Sequence, residues 1–432
     1  MKNYNFYKWR IWIILAFSFI LSLFHRGAMG VISPSMSIDL KASASEMSNI
    51  ASVTFYTYAL MQIPAGLLLD RYGYRKMSWI GMLLTGLGSI LLGMTPSIAL
   101  AYIGRLFVGL GTSVIFISIL KAQSLWFNKH EFTKASGLLS FIGNIGGVLA
   151  TFPLAFLVAA IGWRFSMIGM GVICLLLFGL IIVYVKNHPN EYGYEAQGDS
   201  KKSEKMNLKQ SLKTVMFNAS IWRNFFSLFT LVGCTTAFSG VFGVNYLTTV
   251  YQLTETKASF YISFILVGLM IGSLCINKIL TWFDHQIVLC QRTSSILMTL
   301  CWVYFLIIEK GKPNLSLLPI LLFTMGFLAT THILSFTDIT HYCTSNNNGL
   351  ASSFINAGEF IASSVITLFI GTFLDLTYTG SMLNGVRDYS SQQYQTCFFI
   401  FLFISALGVL TSFIHTKQEQ VDFSSSIASI NE

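Results

Sequence analysis

Long apolar runs fill this chain, and short polar breaks divide them. Continuous apolar stretches cover about residues 9–31, 47–69, 77–95, 98–120, 134–160, 164–186, 222–250, 258–281, 287–308, 316–338, 349–374 and 394–415. Each is near the twenty or so residues a helix needs to cross a bilayer. The runs are unbroken, whereas a barrel strand would alternate over about ten residues. The pattern predicts an all-α integral membrane protein of twelve transmembrane helices. The longest interior polar segment, 187–213, holds His188-Pro189-Asn190-Glu191 and Lys201-Lys202-Ser203-Glu204-Lys205. It divides the chain into a six-helix bundle over 1–186 and another over 214–416, with a polar tail at 417–432.

Composition agrees. The 432 residues are 54% hydrophobic and 10% charged, against about 25% charged in an average soluble domain. The net charge of +9 does not indicate nucleic acid, because the cations sort by side. With the N-terminus inside, most Lys and Arg fall in cytoplasmic segments. Lys41, Arg164, Lys257, Lys310, Lys312 and Arg387 fall outside, and Arg26 and Arg105 lie within spans. That distribution follows the positive-inside rule and predicts a multi-pass plasma-membrane protein, in bacteria the inner membrane. The first apolar run is too long for a secretory signal and lacks a small-residue cleavage site, so it reads as an uncleaved span. The seven cysteines form no C-x-x-C pair and read as small buried side chains. No metal or cofactor is expected.

Charged and polar groups inside the runs are the candidates for chemistry. Arg26 ends span one, beside His25. A guanidinium there either reaches the interface or faces a cavity where it meets an anionic solute. Glu359, about ten residues into span eleven, must be protonated, paired or wet. It is the candidate for loading and releasing a proton. Asn144, Asn245, Tyr246, His332 and Asn356 are further candidates for solute contact. Asn144 serves equally well as a helix-to-helix hydrogen-bonding group.

Between spans two and three stands Gly66-Leu67-Leu68-Leu69-Asp70-Arg71-Tyr72-Gly73-Tyr74-Arg75-Lys76. This G-x-x-x-D-R-x-G-x-R-K turn resembles the signature of the major facilitator superfamily of secondary transporters. Arg105-Leu106-Phe107-Val108-Gly109-Leu110-Gly111 is similar to the superfamily's span-four motif. The resemblance implies two six-helix bundles rocking about a site between them. It implies that Asp70, Arg71, Gly73 and Arg75 lock the cytoplasmic side, with Asp70 capping span eleven and Glu131 pairing with the basic cluster. Arg105 is grouped with these gating residues. More loosely, Phe24-His25-Arg26, Tyr246-Leu247 and the Asn356-containing span eleven look like a bacterial subgroup of organic-solute permeases and anion/cation symporters. Span five carries Gly143-Asn144-Ile145-Gly146-Gly147 without the proline that superfamily antiporters often place there, which disfavours antiport.

The expected function is proton-coupled uptake of a small anionic or zwitterionic solute, such as a carboxylate, amino acid, peptide or siderophore. Partners are that solute, protons and lipid, and the chain is expected to act as a monomer. Export of a metabolite or siderophore is the alternative within the class. A membrane-embedded enzyme is disfavoured because no H-x-x-x-H or H-x-x-E-H spacing occurs. A signalling receptor is disfavoured because the 187–213 linker is too short for a signalling domain.

Overall fold

The computed structural model describes residues 2–194, 213–342, 345–383 and 385–414. The 195–212 part of the expected linker and the tail from 415 lie outside the described residues. Nearly everything else is helix, because a backbone crossing hydrocarbon must satisfy its N–H and C=O groups within its own segment.

In the first half, α1 (Lys2–Gly27) continues after a break at Ala28 into α2 (Met29–Leu40), which contains Pro34. Together they make the first crossing. α3 (Ala44–Gly93) starts at a reciprocal Ser43–Glu46 cap and is interrupted at Gly73. α4 (Ile98–Ser113) and α5 (Ile115–Trp126) form one crossing. α6 (Lys129–Leu149) is capped by Asn128 and Glu131, and α7 (Phe152–Tyr184) is interrupted at Gly162.

Among the described residues, ten stretches are long and apolar enough to span a bilayer. One of them, Lys134–Tyr184, has 51 residues, more than twice a single crossing. Its break at Gly162 has φ 81°, and the break in α3 at Gly73 has φ 76°. Side chains rarely adopt that region, so glycine marks the point where each long helix turns back. Resolved at these breaks, the architecture accommodates the expected twelve crossings.

The second half begins with α8 (Ala219–Ser227). Two π-helical stretches follow, Leu228–Gly233 and Phe238–Phe242, flanking α9 (Cys234–Ala237), before α10 (Gly243–Tyr251). Such widened turns are a usual cause of a local kink. Next come α11 (Glu255–Trp282), α12 (Ile287–Val303), α13 (Leu318–Ala329) and α14 (Ile333–Asp338). α15 (Ser345–Leu376) leads to a two-strand hairpin, β1 (Met382–Leu383) with β2 (Val386–Arg387), and then α16 (Ser391–Thr411).

Small residues set the helix spacing. Added Cβ atoms at Gly146 or Gly326 would run into backbone carbonyls of Ile20 and Ile265. Such close approach is how membrane helices gain packing without a hydrophobic drive. The halves meet mainly toward the face that the cation distribution assigns to the outside. There Gly30 sits against the Ser239–Gly240 backbone and Gly371 against Ser48. Ser35 donates to Glu255, and Ser45 to Asp375.

Candidate functional site

The centre of the molecule is organised by one ion pair. Arg26 Nη1 lies 3.0 Å from Glu359 Oε1. Arg26 comes from the first half and Glu359 from the second. The Glu359 side chain is 9% exposed and that of Arg26 20%, so the pair is shielded but not sealed. The sequence left open whether Arg26 reaches the interface or faces a cavity. The acid comes from the other half, some 330 positions away in the chain.

Two rings complete the arrangement. Tyr58 from α3 and Phe360 from α15 stack with centroids 4.1 Å apart. The Arg26 guanidinium lies 5.2 Å from the Tyr58 centroid and 4.7 Å from that of Phe360. The guanidinium thus lies beside the stacked pair, within cation–π range of both rings. His332 is half-buried, with Nδ1 2.8 Å from the Ala329 carbonyl. Asn356 is half-buried three residues before Glu359 and four before Phe360, and so shares their helix face. Asn144 is half-buried in α6, one turn from Gly147, which faces Leu266 of the second half. The structure therefore pairs Arg26 with Glu359 and places Asn356 on the same helix face as Glu359. Sequence reasoning missed Tyr58 and Phe360 as parts of the site. The available signal was Phe360 adjoining the buried acid.

Other candidates lie elsewhere. His25 is fully buried inside the first half, edge-on to Phe24, with Nε2 3.7 Å from Cys174 Sγ. One residue is about 100° on a helix, enough to turn it away from the face Arg26 uses. Tyr246 is also fully buried, but within the second half. Its hydroxyl donates to the Gly311 carbonyl, and its ring packs on Phe305 and Phe398. It braces the bundle rather than meeting solute. Asn245 beside it is half-buried, and its carbonyl accepts from Thr248.

Arg105 lies inside the first half. It is fully buried and donates to the His25 carbonyl at 2.9 Å, tying α4 to α1. Its Nε and Nη2 are buried without partners. In the signature turn, Arg75 Nη2 donates to the Ile182 carbonyl at 2.7 Å, and its backbone N–H to Asn187 Oδ1 at 3.0 Å. Gly73 has no room for a Cβ against the same Asn187. Arg71 is exposed and lies over Tyr72. These contacts fasten the turn to the end of α7 in its own half. The Asp70 side chain lies outside the described residues. Glu131 receives Lys8 Nζ at 2.8 Å, so a cation from the first helix meets it.

The sequence profile of the Major Facilitator Superfamily matches residues 15–367. The chain belongs to the Major Facilitator Superfamily. Its long apolar helices make it a multi-pass membrane protein of that superfamily. The uncharacterized transporter YybO of Bacillus subtilis is 32% identical over 169 residues, 39% of this chain and 39% of that protein. The probable sulfoacetate transporter SauU of Cupriavidus necator is 25% identical over 203 residues, 44% of this chain and 47% of that protein. The hexuronate transporter of Bacillus subtilis is 25% identical over 205 residues, 46% of this chain and 49% of that protein. The matched region thus spans less than half the length of each relative. A bacterial homologue of the human lysosomal transporter Spinster, solved inward-facing and unoccupied, superposes with a TM-score of 0.77 at 13% identity. It covers 94% of this chain and 96% of that one, a likeness of fold.

Proposed function

We propose that this superfamily member takes up a small organic anion together with at least one proton. The observation that carries this reading is the Arg26–Glu359 pair, made across the two halves. Removing one partner of a shielded ion pair costs several kcal/mol, because the other charge is left uncompensated. An arriving solute carboxylate, sulfonate or phosphate offers Arg26 a new anionic partner, and a planar guanidinium binds such groups bidentately. Glu359, released, then faces the cost of an unpaired carboxylate in apolar surroundings, and taking up a proton removes that cost. Anion binding and protonation are thereby linked, and each favours the other. When the solute leaves, Arg26 recaptures Glu359 and the proton departs. Two relatives named for sulfoacetate and hexuronate transport fit an anionic solute. His332 and Asn356 supply polar contacts for the rest of it.

Paired variants in proteoliposomes test the mechanism, with sulfoacetate and a hexuronate as probes. Glu359→Gln mimics the protonated acid. It is expected to keep solute counterflow while losing accumulation driven by an imposed proton gradient. Arg26→Gln is expected to lose binding itself. Gradient-driven accumulation that survives in Glu359→Gln removes Glu359 from coupling. Anion affinity that survives in Arg26→Gln removes Arg26 from the solute site.

A further inference from the structure

A second set of cross-half contacts lies at the outer end of α15, well away from Arg26. Its hub is Asp375. From the first half, the Ser45 backbone N–H donates to Asp375 Oδ2 at 2.9 Å, and the Ser45 hydroxyl donates to the same oxygen. From the second half, Tyr389 donates its hydroxyl to Oδ1 at 2.5 Å, and Arg387 Nη1 donates to Oδ1 at 2.8 Å. Tyr389 also closes a loop across the interface, accepting the Ala44 backbone N–H at 3.0 Å. Burial and the bond to Asp375 hold the Tyr389 phenol protonated above its ordinary range, so it stays a donor. One carboxylate thus gathers donors from both halves, and its side chain is only 13% exposed.

The surroundings suit a closure that breaks and re-forms. One turn inward, Gly371 packs directly on Ser48, leaving no space for a Cβ. Next to the hub is a cavity of about 490 Å³ lined by Lys41, Ser43, Glu46, Tyr378 and Arg387 among others. It brings water to the edge of the contact. On another flank the same chemistry recurs, with Ser35 donating to both oxygens of Glu255 at 3.3 and 3.1 Å. In both places a carboxylate of the second half receives a serine of the first. Charge-assisted hydrogen bonds of this kind are strong while shielded, yet water replaces each donor once the halves part.

We propose that Asp375 is the latch of the outer gate: it holds the two halves together there, and its release from Ser45 accompanies opening to the outside. Tyr389 is a positioning residue, which aims the carboxylate from its own half, whereas Arg387, 41% exposed, pairs with it from the solvent side. The inference does not depend on which solute is carried.

The test is the rate at which a maleimide labels a cysteine placed behind the latch, in the purified full-length protein. Ser52→Cys serves, since Ser52 is fully buried one turn from Ser48 on the same helix. The otherwise unaltered chain is labelled in parallel to account for native cysteines. Asp375→Asn in that background is expected to raise the labelling rate about tenfold, the value of one charge-assisted hydrogen bond. Ser45→Ala keeps the backbone donor and is expected to raise it less, in the same direction. Arg387→Gln, which removes a contact within one half only, is expected to stay within about twofold. An unchanged rate in a monodisperse Asp375→Asn protein overturns the proposal. So does an Arg387→Gln effect as large as that of Asp375→Asn with none from Ser45→Ala, because Asp375 then merely organises the hairpin. If Asp375→Asn does not fold, Ser45→Ala against Arg387→Gln decides by the same ordering. No solute enters the assay, so its failure leaves the anion reading untouched, and failure of that reading leaves this one standing.

Discussion

Arg26 is held by three groups, and they do different work. Glu359 supplies charge, while the stacked Tyr58 and Phe360 supply π-systems within cation–π range of the guanidinium. A desolvated cation–π contact is worth about 2 kcal/mol. Tyr58→Ala is therefore expected to weaken anion binding by roughly tenfold to thirtyfold. Tyr58→Phe keeps the ring and is expected to stay within a few-fold of the parent. Solute-dependent thermal stabilisation of the two variants, with sulfoacetate as probe, separates them. Equal losses would show that the hydroxyl, not the face, matters. The sequence disclosed the charged members because a guanidinium and a carboxylate inside apolar runs are costly wherever they sit. It did not disclose their pairing, since that depends on two helices from opposite halves meeting at one depth. The rings were hidden for another reason. A chain with 37 Phe and 18 Tyr gives no pattern by which one stacked pair stands out.

Helix boundaries were legible for the same energetic reason the spans exist, and the interior geometry of the helices was not. Apolar runs of bilayer length mark each crossing. Whether a polar break is a loop or a tight turn within continuing helix is set by single residues such as Gly73 and Gly162. The π-helical stretches in 228–242 have no composition signal beyond nearby glycines. The glycine pattern in span five does carry its meaning, which is packing. Gly146 in α6 lies against the Ile20 carbonyl of α1, and backbone cannot rotate out of the way. Gly146→Ala is expected to cost about 1–3 kcal/mol, as overpacking does, and to lower the melting temperature in detergent. Gly169→Ala in α7 meets nothing within contact distance and is expected to be neutral or slightly stabilising. A Gly146→Ala protein as stable as the Gly169→Ala control would mean that α1 and α6 are not packed this closely.

At the scale of the whole molecule, the central pair and the outer latch make different demands on the two halves. The latch concerns one face only, so loosening it shifts a conformational balance. The central pair is an interaction of charge with charge, and its two ends are coupled through the halves' mutual position. The signature turn, which the resemblance assigned to closing the inner side, is fastened by Arg75 and Asn187 to its own half, while the cross-half bonds cluster outward of Arg26. That is the arrangement of a molecule closed outside, with Arg26 and Glu359 holding one another across the halves. A double-mutant cycle tests this directly. Arg26→Gln leaves Glu359 without its cation, and Glu359→Gln leaves Arg26 without its anion, so each alone is expected to destabilise, by up to about 3–5 kcal/mol for a well-shielded pair. The double variant carries no charge at either position and is expected to recover much of that loss, while still failing to transport. The coupling term from thermal unfolding is then well above the few tenths of a kcal/mol seen for sites that do not touch. Additive losses would mean that the pair is not made in the resting protein. Glu359 would then be held by water or by its own protonation, and binding of an anion at Arg26 would have no means of reaching it.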